Sequence, residues 1–145
     1  EHGINSRLDE IHSAILNIKL PKVNSWIKQR RELAKLYYQK LKNSSLKLPI
    51  EKKDCNHVFH LYVVRSQRRE LLIRFLREKE VGALVHYRVL VHLQPAYQEF
   101  RVGEGGLMET ERAAQEIVSL PTYPGLPGSE LETVIDAIEA FGRAK

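Results

Sequence analysis

Three groups of polar residues in this chain have types and spacings that could do chemistry. Asn5 stands just before an apolar-periodic stretch, at the N-terminal end of a helix, where unpaired N–H groups and the positive end of the dipole can hold a phosphate. Two roles are open there: Asn5 or Ser6 caps the helix by accepting a backbone hydrogen bond, or the Asn5 amide donates to a bound phosphate. His86 and Tyr87 stand at the end of an expected strand. There an imidazole and a phenol either present hydrogen bonds to a polar substrate in a cleft or remain ordinary packed and surface side chains. The third group is His57, His60, His86 and His92 with Cys55 nearby. A regular strand points His57 and His60 to opposite faces because their separation is odd, so no metal is expected.

Two further features carry less. Gly103, Gly105 and Gly106 form a glycine cluster, but neither the preceding strand nor the following Lys-Ser/Thr of a phosphate loop accompanies it, and it reads as a flexible loop. Cys55 follows Lys52, Lys53 and Asp54 in what reads as a surface turn, without the local signature of a cysteine nucleophile. No catalytic residue is assigned on these grounds.

The elements that must position these residues follow from hydrophobic period. Leu8, Ile11, Ile15 and Ile18 recur at steps of three and four, giving one apolar stripe, and Ser6 with Asp9 fits a capping box. Pro21 interrupts this helix, and a second one is expected over 23–42, with Ile27, Leu33, Tyr37 and Leu41 on one side. Residues 57–65 are β-branched and aromatic on both parities, which predicts a central strand covered on both faces. A helix over 66–80 with Leu71, Leu72, Phe75 and Leu76 inward, then a strand over 83–87, would complete a compact β-α-β unit. Residues 88–107 read as irregular, 109–118 as a helix and 118–120 as a short edge strand. Ser129 and Glu132 form a second capping box before a last helix with Leu131, Val134, Ile135, Ile138 and Phe141 inward. The expected class is α+β: a small antiparallel or mixed sheet packed with helices, preceded by a long kinked helical element. One domain spans 1–145, helical over 1–44 and α+β over 45–145.

Composition narrows the classes of partner. At 145 residues, with 43% hydrophobic and 28% charged side chains, the chain can bury a core. Its net charge of +5 is unevenly spread: residues 19–53 hold eleven Lys and Arg against two acids, and residues 105–145 hold seven acids against three bases. Trp26, Ile27, Leu33, Tyr37 and Leu41 interleave with the basic residues at core spacing, so a solvated helix face is expected rather than nucleic-acid binding. The single cysteine cannot form an internal disulfide. No apolar run reaches the ~20 residues of a membrane span and the N-terminal residues lack the layout of a signal peptide, so no membrane association and a cytoplasmic location are expected.

A colinear series of short motifs covers nearly the whole chain. It comprises Gly3-Ile4-Asn5-Ser6-Arg7-Leu8-Asp9-Glu10-Ile11, Arg30-Arg31 before Tyr37, residues 57–64, Val85-His86-Tyr87, Val91-His92-Leu93-Gln94-Pro95-Ala96-Tyr97 and Leu120-Pro121-Thr122-Tyr123-Pro124. Together they resemble the C-terminal small domain of DegT/StrS-type sugar aminotransferases. The resemblance implies pyridoxal-phosphate enzymes of the aspartate-aminotransferase fold type, which move an amino group from glutamate or glutamine onto a nucleotide-linked keto sugar. It also implies a homodimer with active sites between subunits, Asn5 reaching the neighbour's cofactor phosphate, and His86 and Tyr87 bordering the substrate cleft. The chain departs from the family's His-Tyr-Pro-x-Pro segment, with Arg88 and Leu90 at the proline positions.

The same resemblance assigns the Schiff-base lysine, the ring-stacking aromatic and the acid at the pyridine nitrogen to a large domain upstream, whose motifs these residues do not contain. The isolated chain is therefore expected to bind no pyridoxal phosphate and to have no transaminase activity. A different class of role also follows: a non-catalytic interaction module derived from that domain, dimerising through its N-terminal helices or binding a full-length homologue.

Overall fold

The computed structural model describes residues 8–97, 103 and 105–143. Helix α1 (Glu10–Lys19) is capped by Asp9, whose Oδ1 accepts from the His12 N–H at 2.7 Å. The expected cap, Ser6, lies outside the described residues. Pro21 falls in a single 3-10 turn, Leu20–Lys22, where its missing N–H costs no helical hydrogen bond. The chain then enters α2 (Val23–Leu41), giving the kinked helical element expected from sequence. The two helices are buried very differently. Helix α2 places Ala34, Tyr37 and Leu41 in the core, whereas α1 buries nothing and leaves Ile11 73% and Ile18 71% exposed.

The sheet has two antiparallel strands, β1 (Tyr62–Arg65) and β2 (Ile117–Leu120), with Tyr62 opposite Leu120 and Arg65 opposite Ile117. Single antiparallel bridges extend it on both edges: Lys47 pairs with Arg65, and Leu84 with Ser119. The segment at Leu84 therefore runs parallel to β1 with β2 between them, a split form of the expected β-α-β unit. Its expected second strand over 83–87 is reduced to that one bridge. Leu84 is 64% exposed, with no further element covering it among the described residues, so little burial rewards a longer ladder.

The expected strand over 57–65 is also shorter than its pattern. Phe59 adopts φ +47°, a left-handed conformation that ends any extended run. Side chains take over the hydrogen bonds that a ladder would have made. Glu51 accepts from the His57 N–H at 2.7 Å, and His57 Nδ1 accepts from the Phe59 N–H at 2.9 Å. The Arg30 guanidinium donates to the carbonyls of Phe59, His60 and Thr122 at 3.3, 2.8 and 2.8 Å, tying α2 to the entrance of β1 and the exit of β2. Coverage is one-sided: Tyr62 and Val64 are in the core while Val63 and Arg65 are half-buried, because only one face of the ribbon meets the helices.

Three more helices complete the fold: α3 (Arg69–Glu78), α4 (Met108–Glu116) and α5 (Gly128–Arg143). Leu72, Ile73 and Leu76 of α3 and Leu131, Val134, Ile135, Ile138 and Phe141 of α5 close over the buried face of the sheet with α2. Leu71, expected inward, is 47% exposed, since Ile73 occupies the adjoining core position. Ser129 lies inside the first turn of α5 rather than capping it, and its carbonyl accepts from the Thr133 hydroxyl at 3.0 Å. Tyr37 stacks on Tyr62 with ring centroids 4.8 Å apart, and its hydroxyl donates to the Pro121 carbonyl at 2.8 Å. Burial raises the Tyr37 hydroxyl pKa far above its ordinary value, with the neighbouring phenols Tyr62 and Tyr123 adding to the shift.

Helix α3 ends in a Schellman turn. The Val81 N–H reaches the Leu76 carbonyl at 2.8 Å and the Glu80 N–H reaches that of Arg77 at 3.0 Å, with Val81 buried beneath. The left-handed position belongs to Glu80 at φ +59°, not to Gly82 two residues later. Glu80→Gly is expected to raise the unfolding free energy by about 1 kcal/mol, less any gain in unfolded-state entropy, measured by urea denaturation; an unchanged or lower midpoint would contradict this account of the turn.

Candidate functional site

The segment following the Leu84 bridge is held to the fold by three successive fastenings. Backbone hydrogen bonds join Leu84 to Ser119, at 3.2 Å from the Leu84 N–H and 2.8 Å from the Ser119 N–H. Two residues on, His86 Nδ1 lies 2.9 Å from the Ser119 hydroxyl. Further along, His92 Nε2 lies 3.1 Å from Glu111 Oε1 on α4. Along this segment Tyr87, Val89, Val91 and Leu93 face outward, Tyr87 at 76% exposure. The rings of His86 and Tyr87 meet edge-on at 5.6 Å, and the peptide bond between them is cis.

This geometry gives the two residues separate capacities. With Nδ1 occupied by Ser119, the His86 ring has Nε2 left for a further donor or acceptor, and Tyr87 offers an exposed hydroxyl that can do either. Arg88 flanks them and reaches Glu70 Oε1 at 3.3 Å. A hydrogen bond from Arg69 holds the Glu70 carboxyl below its ordinary pKa, and the Arg88 charge works in the same direction. The pair at the strand end is thus a rigidly mounted imidazole and an outward phenol beside a guanidinium, an arrangement suited to hydrogen-bonding a polar, anionic molecule.

The other sequence candidates fall elsewhere. Asn5 lies outside the described residues, and of the glycine cluster Gly105 and Gly106 stand in the turn before α4. Cys55 is exposed, in a turn closed by its N–H on the Lys52 carbonyl at 3.0 Å. His57 serves the backbone of Phe59 and His60 is exposed. Among the described residues no three His, Cys, Asp or Glu side chains gather as a metal site, and no helix is long and apolar enough to cross a membrane.

Similarity to known proteins is extensive. The family described as DegT/DnrJ/EryC1/StrS aminotransferases matches residues 1–139. The chain is 39% identical over 140 residues to a dTDP-3-amino-3,6-dideoxy-alpha-D-galactopyranose transaminase of Aneurinibacillus thermoaerophilus, covering 97% of this chain and 38% of that protein. It is 38% identical over 144 residues to a pleiotropic regulatory protein of Geobacillus stearothermophilus, covering 97% of this chain and 39% of that protein. Its backbone superposes on S. venezuelae DesV, solved with a ketimine intermediate, with a TM-score of 0.88 at 38% identity, covering 98% of this chain and 38% of that one.

The chain belongs to the DegT/DnrJ/EryC1/StrS aminotransferase family. It spans about two fifths of the length of the curated relatives it matches. The family is pyridoxal-phosphate dependent, and a structural neighbour holds the aminated cofactor. The described residues of this family member do not fit that group by themselves. A Schiff-base lysine needs a desolvated amine, and every lysine described here is exposed.

Sequence reasoning named His86 and Tyr87 as candidates but missed what holds His86. Ser119, 5% exposed, pairs with Val63 on one edge of β2 and Leu84 on the other, and its hydroxyl meets His86. Its signal was a lone hydroxyl between Val118 and Leu120 in an apolar run. Ser119→Ala is expected to cost about 1 kcal/mol and to change the His86 ring ¹⁵N shifts in NMR spectra. Unchanged ring signals would show that the hydroxyl does not set the imidazole.

Proposed function

We propose that these 145 residues form the C-terminal small domain of a sugar aminotransferase that transfers an amino group from glutamate or glutamine to a nucleotide-linked keto sugar. The carrying observation is the fastened His86 beside an outward Tyr87, on a chain whose relatives include dTDP-sugar transaminases. In this reading His86 and Tyr87 border the substrate cleft and hydrogen-bond the polar nucleotide-sugar. Asn5 donates its amide to the cofactor phosphate of a neighbouring subunit. The cofactor supplies the electron sink for amino transfer when bound. The Schiff-base lysine and its companions come from a large domain, so the 145 residues alone carry no cofactor and catalyse nothing. Arg88 and Leu90, in place of prolines, leave the cleft segment to be fastened by Ser119 and Glu111 instead of by ring constraints. The setting is cytoplasmic.

A chimaera tests this directly. With these residues replacing the matching portion of the A. thermoaerophilus relative, amination of that enzyme's dTDP-keto sugar is expected. Within it, His86→Ala and Tyr87→Phe should raise KM about tenfold, the scale of one lost hydrogen bond. Asn5→Ala should weaken cofactor retention by a similar factor. An inactive but folded and cofactor-loaded chimaera would refute the assignment, and a borohydride-reduced pyridoxyl-lysine adduct on the chain alone would refute its predicted incompetence.

A second reading is favoured by the uncovered stripe of α1, where Ile11, Ile15, Ile18 and Leu20 are all substantially exposed. Such a surface tends to be covered by association, which suits a homodimer through the N-terminal helices in either the enzyme or a non-catalytic interaction module derived from it. The chain is expected to run as a dimer in sizing chromatography and as a monomer after Ile11→Glu with Ile18→Glu. A monomeric parent chain would remove support for this surface as the self-association face.

A further inference from the structure

The contact that holds His86 also decides where its ring proton sits. Ser119 is 5% exposed, and both of its backbone groups are committed to Leu84: its N–H donates to the Leu84 carbonyl at 2.8 Å, and its carbonyl accepts from the Leu84 N–H at 3.2 Å. Its hydroxyl has one hydrogen-bond partner among the described residues, His86 Nδ1 at 2.9 Å. A hydroxyl has one proton to donate and two lone pairs that can accept. At a buried strand position the proton is the part that must be placed, because an unmade donor there costs the desolvation of that group.

Two arrangements of protons fit the 2.9 Å contact, and they are not equivalent. With the proton on Nδ1, the ring donates and the Ser119 oxygen accepts, which leaves the hydroxyl proton with no acceptor among the described residues. With Nδ1 bare, the hydroxyl donates to it and is satisfied. A neutral imidazole with a bare Nδ1 carries its proton on Nε2. Nε2 lies across the ring from Nδ1, so this N–H is turned away from Ser119.

We propose that Ser119 is a positioning residue that fixes His86 as an Nε2–H donor, so that the imidazole recognises an oxygen acceptor on the ligand and does not act as a general base. This rests on the reading in which His86 borders the cleft for a nucleotide-linked sugar, and it narrows that reading: the substrate atom facing the ring is a hydroxyl, keto or phosphate oxygen. A protonated amine at the same place meets a donor and gains nothing. The Arg88 guanidinium beside the pair is donor-only as well, so both groups select for oxygen. No covalent bond forms or breaks.

The proton is read on the 145-residue chain, labelled with ¹⁵N-histidine, by long-range ¹H–¹⁵N correlation in mildly alkaline buffer. The His86 ring is expected to show a bare Nδ1 and a protonated Nε2. In Ser119→Ala the Nδ1-protonated form should become detectable, and Ser119→Thr, which keeps the hydroxyl, should restore the single form. A merely structural serine would change the melting temperature without moving the proton. A parent ring protonated on Nδ1, or a Ser119→Ala ring that keeps the parent's single form, would overturn the proposal. The active chimaera then reads the consequence for the ligand. His86→Leu should raise KM for the dTDP-keto sugar about tenfold, and His86→Gln, whose amide can place an N–H near the Nε2 position, should recover most of that loss. A fall in kcat of about a hundredfold or more in His86→Gln would show that a base had been removed, and would overturn the proposal too. The two readings fail separately: an inactive chimaera refutes the aminotransferase assignment, whereas the ring proton on the chain alone decides this inference whether or not the chimaera turns over.

Discussion

A ribbon of two four-residue strands cannot hold together in water unaided, and nearly everything in this fold follows from how that ribbon is kept dry on one face. Tyr62 and Val64 of β1 and Val118 and Leu120 of β2 supply the apolar face, and α2, α3 and α5 close over it. The other face stays half-covered. The Arg65 guanidinium lies 2.7 Å from the Glu116 carboxylate, linking the end of β1 to the last residue of α4 where both side chains are about one fifth exposed. Single bridging residues, Lys47 and Leu84, satisfy part of each edge without adding strands, which limits unpaired backbone available to other chains.

From that constraint the candidate site acquires its rigidity. Ser119 of β2 is paired on both edges, with Val63 and with Leu84, and it also holds the imidazole. A ring hydrogen-bonded to a strand residue paired on both edges has little freedom left, so His86 is oriented before any ligand arrives, as a binding group should be. Tyr87, next in sequence, has no such fastening and stays outward. The contrast between neighbours is positional: one points back to β2, the other away from it.

The helices were legible in the sequence because their signals are local. Steps of three and four at Leu33, Tyr37 and Leu41 and at Leu131, Val134, Ile135 and Ile138 gave both existence and inward face, and Pro21 gave the kink. Strand extent was less legible, since β-branched and aromatic composition does not reveal which backbone groups will find partners. Residues 57–61 have strand composition, yet Arg30, twenty-nine residues earlier than Phe59, takes their carbonyls. Nothing within the segment announces that. The same holds for Ser119 and Glu111, whose roles depend on pairing across the fold, and for Glu80, where a glutamate occupies a left-handed position that composition would have given to Gly82. Family resemblance named Asn5, His86 and Tyr87 as candidates, while geometry supplied a partner for His86 alone.

The distribution of exposed apolar side chains argues that the molecule's remaining surfaces are not equivalent. Scattered exposed leucines are normal on any domain. Here they concentrate on two stretches, α1 with its entry turn and the 84–93 segment, while α3 and α5 turn most of their apolar residues inward. α1 was free to bury its stripe against α2, from which only one 3-10 turn separates it, yet it runs on as a continuation of that helix. Helices joined almost end to end cannot fold back on each other without a longer connection, so the geometry at Pro21 commits the stripe to something other than this core. The 84–93 segment is likewise fastened through polar contacts that hold its apolar side chains outward, as the alternation of Tyr87, Val89, Val91 and Leu93 shows. Two apolar surfaces held outward by specific structural devices are better explained as faces shaped for contact than as failures of the core to collect them.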